Sequence, residues 1–361
     1  MRVRGYIPVI ALGAAVIIIQ VAATAAGREF YLTQLTMAAY YCLVILGLTV
    51  LMGYTGQISL GHAAFFAMGG YTTAVITTIN LANHGDSALA GIVIKLGLAT
   101  VDKTPYGGDL LHVSPWAAMI VAVAVTAAVS FLIGIPILRL KGHYLAMATL
   151  GFGIIVHRVA LGSRIFGEAD GISDIPPFRI AWLTVCGDPA LRVQNFYIAA
   201  FMVVVCLMLL INLINSRVGR ALRSIHGSEE AAGAMGVNTA RYKLAVFVLS
   251  AVFACVAGVF LTHFNGGIGP SEAEVMKSVN YVAIVAVGGM ANLWGALVMG
   301  IALNYLSLRG YFGSYDEFVF GGILIVIMLF FPDGLLKLET ARSLKGLMGR
   351  LKVRARPGEK E

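Results

Sequence analysis

Apolar residues fall along this chain in long continuous blocks, not in alternating or every-third positions. A helix of about 20 residues crosses a hydrocarbon core about 30 Å thick. Open sheets cannot span lipid, and barrel strands alternate in character, so continuous blocks predict membrane helices. Ten are expected, at about 6–26, 35–52, 60–79, 114–138, 143–161, 194–214, 243–265, 278–290, 293–309 and 317–331. The eighth is short and is expected to tilt, break or re-enter. The run ALAGIVIKLGLA at 88–99 is too short to span and carries Lys95, so a helix in or near the outer interface is expected there. The fold class is all-α: a polytopic transmembrane helix bundle of about ten spans, with a membrane domain at 1–336 and a basic tail at 337–361.

Composition agrees. Mean hydropathy is +0.85 and charged residues make up 12% of the 361 residues, about half the share of a soluble domain. Cys42, Cys206 and Cys255 lie inside apolar runs and Cys186 in a polar loop, so neither a disulfide nor a metal site is expected. The N-terminal apolar run is longer than a signal-peptide core and reads as a retained first helix. Basic residues set the orientation. With ten spans, Arg2, Arg4, Arg139, Lys141, Arg217, Arg220, Arg223, Arg241, Lys243 and the eight basic residues from Lys337 onward share one side, seventeen of 26. Both termini are therefore expected in the cytoplasm, where the tail can touch anionic membrane lipid. Topology accounts for the +8 net charge, so nucleic acid is not an expected partner.

GYTGQISLGHAAFF, Gly53 to Phe66, interrupts the pattern with three glycines, a glutamine, a threonine, a serine and a histidine. Unwound backbone survives at membrane depth only inside protein or along a water-filled path. Two readings stand. In one, Gly56, Gln57, Ser59, Gly61 and His62 line a translocation path. In the other they form a cytoplasmic turn with tight glycine packing, the polar side chains merely capping helices. A lone histidine at a helix start is more often structural than a ligand or base. An intramembrane serine protease fits poorly: GQISLG lacks the G-x-S-x-G spacing, and a histidine three residues after the serine on one helix is expected to aim badly. No catalytic residue is expected. GGMANLWGALVMG, Gly288 to Gly300, interrupts the C-terminal half in a similar way, as a parallel internal repeat would.

Ion-coupled carriers bury ionisable residues in their spans. The expected helix centres hold no Asp, Glu, Lys or Arg; Glu168, Asp170, Asp174, Glu272, Glu274, Asp316 and Glu317 fall outside them. A secondary carrier is thus a lesser alternative. No G-x-x-x-x-G-K-[ST] nucleotide motif occurs, so any pumping draws energy from another chain. At about 215–242, Arg217, Arg220 and Arg223 share a helical face. Ser228 can cap a short helix, with Glu229 and Glu230 at its positive end, and Gly236 can close it in a left-handed turn. An ordinary solvated loop reads the same way.

EAAGAMG, Glu230 to Gly236, fits the E-A-A-x-x-x-G signature of ABC importer permeases. GYTGQISLGHAAFFAMGGY, RLKGHYLAMATLGFG and KLAVFVLSAVFACVAGVFLTHFNGGIGP resemble the branched-chain amino acid permease family, and EADGISDIPP resembles its LivM-type branch more than its LivH-type branch. The resemblance covers about residues 35 to 335. It implies a type II ABC importer permease fold in a bacterial inner membrane. It implies a LivH-type sister permease, two ATP-binding subunits and a periplasmic amino-acid-binding protein as partners. ATP would be used by the partner, so no cofactor is expected here. Glu230, Ala231, Ala232 and Gly236, with Arg220 and Arg223, would couple to the ATPase. The implied solute is leucine, isoleucine or valine; urea and short-amide permeases resemble the same family and stand as the alternative. The long 80–113 loop departs from the pattern.

Overall fold

The computed structural model describes residues 7–79, 99–103, 109–180, 182–310 and 315–330. Its helices are α1 (Ile7–Ala25), α2 (Phe30–Thr55), α3 (His62–Thr78), α4 (Pro115–Ile137), α5 (His143–Gly162), α6 (Arg192–Asn215), α7 (Arg217–Gly227), α8 (Glu229–Ala234), α9 (Thr239–Asn265), α10 (Val275–Gly288), α11 (Leu293–Leu308) and α12 (Asp316–Phe330). The ten expected spans correspond to α1–α6 and α9–α12, with ends shifted by a few residues. Six of these, α1, α2, α4, α5, α6 and α9, are long and apolar enough to cross a membrane. Helices α3, α10, α11 and α12 have 17, 14, 16 and 15 residues, fewer than the roughly 20 of an upright span. The chain is an all-helical, multi-pass membrane protein.

Three short antiparallel pairs decorate the helices among the described residues: β1 (Ala99–Lys103) with β2 (Asp109–Val113), β3 (Ile172–Ser173) with β6 (Gly267–Ile268), and β4 (Phe178–Ile180) with β5 (Leu183–Val185). The interfacial helix expected at 88–99 lies outside the described residues except for Ala99, which opens β1. The tail at 337–361 lies outside them as well. All four cysteines are free thiols.

Helix α2 is the hub. Its central sequence, AAYYCLVILGLTVLMG, is apolar on every face, the mark of a helix buried all round. Accordingly 89% of its apolar window is buried, against 6% for α1 at the periphery. Helices α6, α9 and α11 pack against it, and α7 and α10 also touch it. The hydroxyls of Thr36, Thr49 and Thr55 donate to carbonyls four residues back, at 2.5–2.7 Å. These threonines therefore bury no unpaired group.

Close approach at the end of α2 requires a glycine. A Cβ on Gly53 would lie 1.5 Å from the Met290 carbonyl oxygen. Backbone meets backbone here, so no flexible side chain can give way. Tyr54 Oη completes the contact by donating to Ala291 O at 3.0 Å. The two sequence interruptions, at 53–62 and 288–292, thus touch. Gly53→Val should lower the thermal stability of the purified protein by about 1–3 kcal/mol, the usual cost of overpacking. Gly13→Val, where a Cβ meets nothing within 4 Å, should leave it unchanged. Equal melting of the two variants would refute this packing.

Candidate functional site

The chain leaves α2 at Gly56, whose φ of +68° forms a left-handed cap. Gly56 N–H and Gln57 N–H return to Met52 O and Leu51 O. Residues 57–61 then run without regular structure to the start of α3. His62, the first residue of α3, lies 3.0 Å from Ser250. Ser250 is eleven residues past the start of α9, about 16 Å along that helix. The segment therefore climbs into the protein interior. Its glycine packing is tight: a Cβ on Gly61 would lie 2.6 Å from Thr149 O.

Side chains from two other helices receive freed backbone N–H groups. Leu60 N–H donates to Thr149 Oγ1 of α5, and Ala63 N–H to Ser278 Oγ of α10, both at 3.0 Å. His62 is fully buried. Ser250 donates its own hydroxyl to Phe247 O at 2.9 Å, so its oxygen accepts from His62 Nε2–H. That assignment leaves Nδ1 to accept from the Ser59 hydroxyl at 3.0 Å. The edges of Phe65 and Phe247 enclose the ring. Ser59 and His62 do meet, contrary to the expected poor aim, because Ser59 precedes the helix and is free to turn toward the ring. The second ring nitrogen meets a serine rather than the carboxylate that orients a catalytic histidine. The arrangement is a neutral, satisfied hydrogen-bond relay.

Gln57 differs. It is 3% exposed, and neither its amide oxygen nor its amide nitrogen meets a protein partner. Buried polar groups left unpaired are rare and costly.

At 215–242 the local expectations are met in geometry. Arg217, Arg220 and Arg223 lie on α7. Ser228 caps α8 by accepting from Ala231 N–H at 3.2 Å. Gly236 takes a φ of +84°. Ala232 is buried, while Glu230, Ala231 and Arg220 are exposed. Helix α7 packs against the end of α2: the Arg223 guanidinium lies 5.8 Å from the Tyr54 ring centre and donates to Ile214 O at 3.1 Å. His226 lies against Gly56. Glu229 pairs with the largely buried Lys243 of α9. Partial burial raises the Glu229 carboxyl, but the hydrogen bond and charge of Lys243, with Thr239 and Lys141, bring it below its ordinary value. With the folded value depressed, the pair stabilises the loop above the ordinary carboxylate range and loses that contribution as pH falls through the lowered value.

Glu272 lies outside the α-helices, as expected, in the turn Pro270–Ala273 between α9 and α10. There it pairs with Lys277 at 2.6 Å, and both bond Tyr41 Oη. Tyr41 sits near the middle of α2. Lys277 escaped notice because the expected span began one residue later. Thr149, Ser250 and Ser278 were missed too. Their only sequence signal is a lone hydroxyl within an apolar run.

Residues 30–328 match the family described as branched-chain amino acid transport system, permease component. The high-affinity branched-chain amino acid transport system permease protein LivM of Salmonella typhimurium is 31% identical over 338 residues, covering 88% of this chain and 72% of its own. LivM of Escherichia coli is 31% identical over 322 residues, covering 83% and 68%. LivH of Escherichia coli is 24% identical over 306 residues, covering 83% and 92%. No solved structure matches significantly.

The relay around His62 yields a stability prediction. Ser250→Ala removes the acceptor of a buried N–H and should destabilise the protein by about 1–3 kcal/mol. Ser224→Ala, at an exposed hydroxyl, should change melting little. A Ser250→Ala protein as stable as its parent would show that His62 has another partner.

Proposed function

This chain belongs to the branched-chain amino acid transport permease family, and from that premise we propose that it is the inner-membrane permease subunit of an ABC importer. It moves branched-chain or other hydrophobic amino acids into the cytoplasm, driven by separate ATPase subunits. One observation carries the reading: the family match spans residues 30–328 and so takes in the broken segment, the bundle around it and the 215–242 loop together. The relatives do not favour a urea or short-amide solute. The chain carries out no covalent chemistry in this reading. Its partners are a LivH-type sister permease, two ATP-binding subunits and a periplasmic amino-acid-binding protein. Residues 1–336 are the permease domain, crossing the bilayer ten times, and 337–361 a basic tail. The positive-inside bias supports both termini in the cytoplasm.

Force enters at α7 and α8. Glu230 and Ala231 present the exposed face of a short helix to the ATPase, with Ala232 seating that helix, Gly236 closing it and Arg220 beside it. Arg223 rests on Tyr54, and Tyr54 is bonded to Ala291. A shift of α7 therefore acts on both interrupted segments at once. Alternating access follows when such a shift moves packed helices between two discrete arrangements. Gly56, Gln57, Ser59, Gly61 and His62 form a hinge on the path. The unpaired amide of Gln57 supports its meeting a group that this state does not present.

Gly236→Val forces a β-branched residue into a left-handed conformation, at about 1–2 kcal/mol. A Cβ there meets nothing within 4 Å, so the effect is on the helix end and not on packing. Gly236→Val and Glu230→Lys should reach the membrane at normal levels yet lose at least 90% of leucine uptake and of binding-protein-stimulated ATP hydrolysis (about 1.4 kcal/mol or more of lost coupling). Lys352→Glu in the tail should do neither. Normal uptake by both loop variants would remove the coupling role.

Gln57 and Ser59 are 3% and 2% exposed in this state. In a chain freed of its four cysteines, Gln57→Cys and Ser59→Cys should react with a small hydrophilic thiol reagent in one nucleotide state and not another. Inertness in every state would make the segment purely structural.

A further inference from the structure

Glu272 and Lys277 form a partly buried ion pair against the middle of α2. Lys277 Nζ lies 2.6 Å from Glu272 Oε2, and Tyr41 Oη lies 3.2 and 3.3 Å from the two carboxylate oxygens and 3.3 Å from Nζ. The ammonium also lies 5.2 Å from the Tyr41 ring centre. Tyr41 is the twelfth of 26 residues in α2. It is therefore about 17 Å from one end of that helix and about 21 Å from the other. Ionisable residues retained at such depth mark solute or ion pathways.

Two further features point to a ligand. The hydroxyls of Tyr71 and Tyr281 are buried and have no hydrogen-bond partner. Both lie close enough to interact electrostatically with Glu272. The pair itself is not sealed: the side chains of Glu272 and Lys277 are 16% and 30% exposed. Beside it, Tyr41 stacks with Phe66 at 5.6 Å and meets Tyr281 at 6.2 Å, giving an aromatic wall next to the charges.

We propose that this cluster is a mid-membrane station for the zwitterionic head of an amino acid, whose ammonium takes Glu272 and whose carboxylate takes Lys277. The proposal rests on the amino acid permease reading and deepens it. One ion pair opens and two form, and the net charge of the site does not change. A simple anion or cation would leave one member of the pair buried and unmatched, which is strongly unfavourable. An uncharged amide offers too little to open the pair. The Tyr71 and Tyr281 hydroxyls supply further bonds to the bound head, and the aromatic wall takes an apolar side chain.

The test uses the complete transporter in proteoliposomes, with leucine uptake and binding-protein-stimulated ATP hydrolysis measured side by side. Glu272→Gln, Lys277→Gln and the double variant should each lose at least tenfold in uptake while hydrolysis stays within twofold of the parent, so that ATP spent per leucine rises tenfold. Tyr281→Phe breaks no existing bond and should slow uptake at least threefold with hydrolysis unchanged. Normal uptake by the double variant overturns the proposal. So does a rescue of uptake and hydrolysis together in the double variant after both singles fail, since that marks a structural pair. If the double variant does not assemble, unchanged uptake in Tyr281→Phe overturns it. A parent complex that moves no leucine overturns the permease reading itself, which is a separate outcome.

Discussion

In a membrane, every backbone donor and acceptor must find its partner within the protein, because the solvent supplies none. The structure hangs on how that requirement is met where α2 ends and α3 begins. Five residues there are outside regular structure; Gln57 N–H returns to the last turn of α2, Leu60 N–H reaches a side chain of α5, and Ala63 N–H, in the first turn of α3, reaches one of α10. Thr149 and Ser278 thereby tie separate helices to one irregular strand of backbone. His62, held between Ser59 and Ser250, does the same for α9. An irregular segment at this depth is stable because other helices complete it, and it constrains those helices in return.

The same helix links the polar features to one another. Helix α2 carries Tyr41 against the charged pair near its centre, Gly53 and Tyr54 against the second interruption, and the Gly56 cap against His226. A rigid, largely buried rod is suited to this. Little of it can deform, so a displacement at the loop end is passed along its length or refused. Densely packed interiors favour discrete rearrangement over gradual distortion.

The 215–242 loop obeys a different economy. Its helices are short, exposed and held by local devices: the Ser216 and Ser228 caps, the left-handed Gly236, and the Glu229–Lys243 pair at the edge of the bundle. Exposed ion pairs such as Lys141–Glu230, at 3.8 Å, contribute little. The buried edge of Ala232 and the Arg223 contact seat the loop, while its outer face stays free.

The sequence by itself determined the helices and the loop. Continuous apolar runs have one solution in lipid, and caps such as Ser228 or the turn at Gly236 act within a few residues, so local chemistry was enough. It also carried the family resemblance, because motif order survives in a linear string. Depth was decided only by the tertiary structure. Hydropathy placed Glu272 outside and stopped short of Lys277, yet the chain dips between α9 and α10 and sets both against the middle of α2. The same holds for Ser59 and His62, whose meeting depends on an extended segment, and for Thr149, Ser250 and Ser278. Each is a lone hydroxyl in an apolar helix until another helix brings a freed N–H or a ring nitrogen to it. A local pattern records what a residue is next to along the chain, whereas position along the membrane normal depends on where distant segments enter and how they pack.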